Sequence, residues 1–236
     1  PYWSEEDEIR PIAPSDNRLR HEWGFGDESA FVVGYSGNFG RAHEFDTVLD
    51  AAEHLRDDPH IRFLLVGGGH GRLWIEQEIA RRGLANVQLQ PLQPRERLAE
   101  SLSVADVHLV SLRPSLEAYV VPSKLYGIMA VARPVLFVGA GDGEVATVLR
   151  SHGIGHSVAI GEGRTLASRI VDMQRDRPAR EAMGRRAREA FERDHLRSRA
   201  VSAWLSLLQA IAAEETKASV EARLRYSAGS DDRTSA

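Results

Sequence analysis

Cysteine is absent from the 236 residues. That removes disulfides, thiolate metal ligands and a cysteine nucleophile at once. Lysine is nearly absent as well: Lys124 and Lys217 are the only two, and arginine carries the rest of the positive charge. Neither sign of charge prevails. The net charge is −4, so the bulk attraction that would draw the chain to nucleic acid is missing. No apolar run reaches the roughly 18 residues expected of a membrane span. No methionine precedes Pro1 and no signal-peptide pattern follows it, which reads as a fragment or a processed product. The dinucleotide fingerprint and the Walker loop are both lacking. Serines and histidines do not fall in a triad order, so nothing points to nucleophilic hydrolysis.

What is present is ordinary for a soluble globular protein, 42% hydrophobic and 27% charged. Residues 1 to 29 are acidic and rich in turn formers, and Pro11 and Pro14 break any early helix. They read as a linker with one short helix, Arg18 to Trp23, and not as a core element. From Phe31 the pattern turns regular. Apolar runs at Phe31–Ser36, Ile61–Val66, Val87–Leu89, Val107–Leu112, Pro134–Val138 and His156–Ile160 read as six strands. Stretches of helical period separate them, at spacings too long for hairpins. Alternation of this kind predicts βαβ units, a parallel sheet and right-handed crossovers. Phe63-Leu-Leu-Val66 and Val135-Leu-Phe-Val138 are apolar throughout, as strands covered on both faces are. The fold class expected is α/β, a Rossmann-like doubly wound parallel sheet with C-terminal helices. Three helices follow, at Leu166–Asp176, Pro178–Arg193 and Leu196 to about Ala213. The domain therefore spans 30 to 213, and 214 to 236 is a polar tail, expected to be disordered from Ser227.

The stretch from Arg113 to Pro134 organises the rest. It leaves the carboxyl end of a strand, carries Glu117 and Lys124, and enters a helix for which Ser123 is the expected N-cap. In an open α/β sheet ligands bind at that end, and helix N-termini favour anions. Lys124, where arginine is the default, is read as an anion ligand; the bland alternative is a snorkelling surface lysine. Gly37-Asn38-Phe39-Gly40-Arg41 and Gly67 to Gly71 are glycine-rich strand-to-helix loops, either phosphate cradles or tight turns. Arg41 is either a second anion ligand or an ordinary exposed side chain. His43 and His70 sit beside these loops, where a lone histidine is more often structural. Asp142 and Glu144 alone make a poor metal site, and no metal is expected.

These segments, in their order, resemble a known family. Gly34-Tyr-Ser-Gly-Asn-Phe-Gly-Arg41, Phe63-Leu-Leu-Val-Gly-Gly-Gly69, Asn86-Val-Gln-Leu-Gln-Pro-Leu92, Ala105-Asp-Val-His-Leu-Val-Ser111, Val121-Pro-Ser-Lys-Leu-Tyr-Gly127 and Ala132-Arg-Pro-Val135 resemble the C-terminal, nucleotide-sugar-binding domain of retaining GT-B glycosyltransferases. This is the large family-four group, in a bacterial subgroup of surface-polysaccharide and aminosugar transferases. The likeness implies transfer of a sugar from a nucleotide-diphosphate sugar to a glycan or lipid-linked acceptor. It implies a cleft whose acceptor half is an N-terminal domain not contained in this chain, so that the domain alone is inactive. It implies no cofactor and no nucleic acid, and a cytoplasmic protein, with peripheral attachment to the inner face of the membrane as an option. Glu117 is the best match for the first acid of the family's Glu-x7-Glu signature. The second falls near Gly127, where no acid stands, and Glu144 is a substitute. The expected catalytic residues are Glu117, Lys124 and Arg41. The expected donor-binding residues are Gly37, Asn38, Gly40, Gly68, Leu92, Pro122, Ser123, Gly127 and Glu144. The competing readings are a non-catalytic nucleotide-sugar-binding subunit, a phosphate-binding regulatory module, or half of a GT-B sugar-nucleotide epimerase.

Overall fold

A computed structural model describes residues 9–27, 29–117, 119–120 and 123–228. Six parallel strands form one sheet in the order β3-β2-β1-β4-β5-β6. They are β1 Phe31–Asn38, β2 Ile61–Gly68, β3 Val87–Gln90, β4 Val107–Ser111, β5 Val135–Val138 and β6 Gly155–Val158. The α-helices among the described residues are α1 Arg18–Glu22 before the sheet, α2 Asp46–His54, α3 Arg72–Arg82, α4 Leu98–Ser103, α5 Lys124–Ala130 and α6 Glu144–His152 between its strands, and α7 Gly163–Arg175, α8 Arg177–Asp194 and α9 Arg197–Ala228 after it.

The two faces of the sheet are covered by different helices. Val33, Tyr35, Phe63, Leu65, Leu109 and Leu136 bury one face against apolar residues of α2, α3 and α7. Val110, Leu112, Val135 and Phe137 turn to α5, α6 and α8. This is the doubly wound α/β fold expected, and the central strands are apolar throughout because both of their faces are covered. Helix ends follow local chemistry. Gly83 and Gly153 close α3 and α6 in the left-handed conformation, with φ +64° and +60°. The Asp176 carboxylate accepts from Ala179 N at 2.9 Å, and Pro178 sits in the first turn of α8.

Several boundaries differ from expectation. Gly37, Asn38, Gly67 and Gly68 belong to strands, not to loops, because β1 and β2 stay paired to Asn38↔Gly68. The backbones there approach so closely that a Cβ on Gly67 would lie 2.1 Å from the Gly37 carbonyl oxygen. The segment expected to stay outside the core buries Ile9, Leu19 and Phe25, the last two against Val32, Leu64 and Val104. The last helix continues to Ala228, past Ala213. The acids Glu5 to Glu8, and 229 to 236 of the tail, lie outside the described residues.

Candidate active site

The strand order reverses direction between β1 and β4, and connections leaving these two strands run to opposite faces. β1 pairs with β2 along all its length, but with β4 only at Val33↔Val107 and Gly34↔His108. The crevice of an open α/β sheet lies at such a switch point, outside the carboxyl ends of the strands.

The loop after β1 is pinned there from two sides. His43 Nδ1 donates to the Ser111 carbonyl at 2.6 Å, Glu44 N donates to Ser111 Oγ at 2.8 Å, and Arg113 N donates to the Ala42 carbonyl at 2.8 Å. On the other flank Phe39 N donates to Gly68 O at 2.7 Å and Gly71 N to Phe39 O at 2.8 Å. Glu44 is buried; one carboxylate oxygen accepts from Thr47 N at 3.0 Å in the first turn of α2, and the other has no partner.

Lys124, the first residue of α5, reaches across the switch point. Its Nζ lies 2.5 Å from the Tyr35 hydroxyl and 4.0 Å from the centroid of that ring. Among the described residues no carboxylate pairs with it. Burial pushes its amine down to about 7. Burial also pushes the Tyr35 phenol far up, so the phenol keeps its proton. Burial lowers His43, and the charge on Lys124 lowers it further.

Glu117 lies on the turn that opens α6. A Cβ on Gly143 would meet the Glu117 carboxylate, so a side chain there would displace that carboxylate from the turn. Glu117 Oε1 is buried without a hydrogen-bond partner. Glu144, the next residue after Gly143, is exposed. The structure thus brings Glu117 beside the start of α6, where the amide ends favour negative charge.

Not every expected site residue gathers here. Gly37 and Asn38 do: the Tyr35 hydroxyl donates to Asn38 O at 2.9 Å, and Gly37 borders the Lys124 amine. Gly68 holds the loop through its carbonyl. Gly40 and Arg41 line a cavity of about 330 Å³ with His43, Asp46, His70, Trp74 and Arg113, and Lys124 is not in its wall. Arg41 instead meets His70, at 3.5 Å. Gly127 sits inside α5 facing Leu102, a packing position. Leu92 is exposed beyond the edge strand β3. Pro122 lies outside the described residues. Ser123 precedes α5 but its side chain caps nothing, because its own φ and ψ are already helical (−52°, −27°). At seven residues α5 is short, so the positive character of this end rests on Lys124 itself. Sequence reasoning passed over Tyr35, Arg113 and Trp74. Tyr35 is hidden by its place in an apolar strand.

The chain is thus a Rossmann-type α/β domain with a buried amine at its switch point and a loop-borne carboxylate beside the start of α6. The chain belongs to the family described as Glycosyl transferases group 1, which matches residues 17–190. It is similar to WcaI of Escherichia coli (strain K12), named as a colanic acid biosynthesis glycosyl transferase, with 38% identity over 132 residues, 56% of this chain and 32% of that one. Two solved structures share the fold. Sucrose-phosphate synthase from Thermosynechococcus elongatus matches with a TM-score of 0.73 and 22% identity, over 90% of this chain and 52% of that one. Anabaena Alr3699/HepE in complex with UDP-glucose matches with a TM-score of 0.73 and 18% identity, over 88% and 56%. The chain therefore spans 32% of the length of that curated relative and about half of these two structures. Among the described residues no helix is long and apolar enough to cross a membrane, and no three acids or histidines cluster to hold a metal ion.

Proposed function

We propose that this chain is the donor-binding half of a retaining glycosyltransferase that takes a sugar from a nucleotide-diphosphate sugar. The observation that carries this reading is Lys124: an amine with no carboxylate partner among the described residues, held at the switch point of a sheet of the glycosyl transferases group 1 family. Cleaving a sugar–phosphate bond builds negative charge on the departing diphosphate, and a fixed cation stabilises that charge without reorganising. Lys124 takes this role. Arg41, on the neighbouring cavity, serves the donor from its far side. Glu117 and the backbone of Gly37 and Asn38 face the sugar and phosphate. A relative solved with UDP-glucose supports the ligand class, and a relative named for colanic acid biosynthesis supports a glycan or lipid-linked acceptor. The acceptor contacts come from the part of the longer relatives that this chain does not span. The reaction runs without a metal, in the cytoplasm.

Two measurements test this. Calorimetric titration with UDP and GDP is expected to give binding, weakened tenfold or more by Lys124→Ala, about 1.4 kcal/mol, with the fold intact. Unchanged affinity would remove Lys124 from the site. Transfer of radiolabelled sugar to a lipid-linked acceptor extract is expected to stay at background with these 236 residues alone, since an open half-cleft neither orients an acceptor nor expels water. Robust turnover would overturn the half-enzyme reading.

A further inference from the structure

We propose that Tyr35 is the positioning residue for Lys124: its hydroxyl and ring form a fixed seat that holds the amine at the switch point. The seat is packed into the core. Tyr35 is fully buried in β1 and its ring is boxed by Phe45, Phe39 and His43, with centroids 4.9, 5.8 and 5.9 Å away. The direction of the contact is fixed as well. The single phenolic proton is donated to Asn38 O at 2.9 Å, so the Tyr35 oxygen is left to accept from Lys124 at 2.5 Å. The ring beneath, 4.0 Å from Nζ, adds a cation–π contact. On the open side Gly37 leaves the space that the amine uses: a Cβ there would lie 3.2 Å from Nζ.

A tyrosine seat differs from a carboxylate seat in one respect. It offers an acceptor and a π-face but no counter-charge. The other titratable groups that face Lys124 do not supply one either: His43 from the loop after β1 and His108 from β4 are both repelled by it. The amine, pushed down to about 7 by burial, is therefore close to half protonated at neutral pH when the site is empty. Resting on the donor reading above, a diphosphate supplies the missing charge and brings the proton with it. The affinity for a nucleoside diphosphate then falls, by up to tenfold per pH unit, as pH rises above 7.

The chain offers a clean readout because it has only two lysines. With lysine labelled at 13Cε, the Lys124 signal is identified by its loss in Lys124→Arg. In the wild type without nucleotide it is expected to titrate near pH 7, and to move up by at least one pH unit on saturation with UDP. Tyr35→Phe keeps the ring and removes the acceptor. There the loss of the acceptor is expected to move the Lys124 titration by at least one pH unit, and UDP to bind about tenfold more weakly. Wild-type titration near the ordinary value of about 10.4 overturns the proposal without any variant. So does a Tyr35→Phe chain that loses thermal stability while its Lys124 titration and UDP affinity stay unchanged, for that is a core tyrosine only. A low-titrating Lys124 that shifts in Tyr35→Phe, in a chain that binds neither UDP nor GDP, would uphold the seat and sink the donor reading.

Discussion

At the scale of the single residue, the buried histidine beneath the site is expected to contribute most to the loss of stability in acid. His108 lies in β4, wholly buried. Its Nε2 donates to the Leu102 carbonyl at 2.8 Å, and its Nδ1 has no partner. Burial pushes its pKa down to about 4, against the opposing effect of the Leu102 bond. Its folded pKa is thus below the unfolded value of about 6.5. Between these values the unfolded chain binds a proton that the folded chain refuses, so stability rises with pH through the window and is lost as pH falls toward 4. The full loss is on the order of 3 kcal/mol. His43 shifts in the same direction. Urea midpoints taken near pH 7.5 and pH 5 should fall clearly in the wild type and much less in His108→Gln, which keeps an N–H for Leu102. Parallel losses in the two chains would clear His108 of the effect.

At the scale of the element, the contact between α5 and α8 depends on a missing side chain. Gly184 in α8 sits over the backbone that follows α5, and a Cβ there would lie 2.3 Å from the Ala132 carbonyl oxygen. Ala132 itself takes φ +54°, a left-handed conformation costly for alanine. Arg188, one turn on, ties the same place by donating to Ala130 O at 2.6 Å and Ile9 O at 3.1 Å. Helix propensity favours Gly184→Ala by up to about 1 kcal/mol, whereas overpacking against backbone costs about 1–3 kcal/mol. The second effect should win, with a lower urea midpoint and an unchanged slope; a more stable variant would mean that α8 yields freely. This contact was not legible in the sequence, although α8 was, because period 3.6 marks a face and not what the face meets. The six strands were legible for the same reason: apolar runs between helical stretches leave few alternatives. Gly37, Asn38, Gly67 and Gly68 were read as loop because backbone pairing without side chains leaves no periodic trace. Lys124 stood out as a lone lysine among arginines. Its distance from the Arg41 cavity did not, since a sequence says which edge of the sheet a loop reaches and not on which flank it folds.

At the scale of the whole molecule, the stretch before the sheet is the element whose role changes most. Ile9 to Asp27 reads as a linker because its composition is polar and broken by proline, yet one of its arginines closes the amino-terminal side of the sheet. Arg20, nearly buried, donates to Val104 O at 2.5 Å and Ala30 O at 2.7 Å and pairs with Asp106 at 3.2 Å. Asp106 also accepts from Val32 N at 2.8 Å. Asn17 and Leu19 bind Glu100 at 2.8 and 3.0 Å. One guanidinium therefore joins α1, the entry to β1 and the entry to β4, the two strands whose opposite ends carry the candidate site. Removing one partner of a buried pair leaves the other charged and uncompensated, at a cost of about 3–5 kcal/mol. Because the Asp106 side chain keeps some exposure, at 16%, the lower end is expected for Arg20→Met. Asp106→Asn in the same chain should recover part of the loss, since it removes the charge and keeps an acceptor for Val32 N. Loss of the clamp should also speed proteolysis within residues 9–27, where release of Leu19 and Phe25 opens an apolar surface. Urea unfolding and limited proteolysis check both outcomes. A change within about 0.5 kcal/mol, the size of an ordinary surface substitution, would return the segment to the status of a linker. The clamp and Lys124 lie at opposite ends of the same strands, so the UDP affinity of the folded Arg20→Met chain should stay within about twofold of wild type, a change of roughly 0.4 kcal/mol. A larger drop would mean that the spacing of β1 and β4 at the site is set from the far end of the sheet.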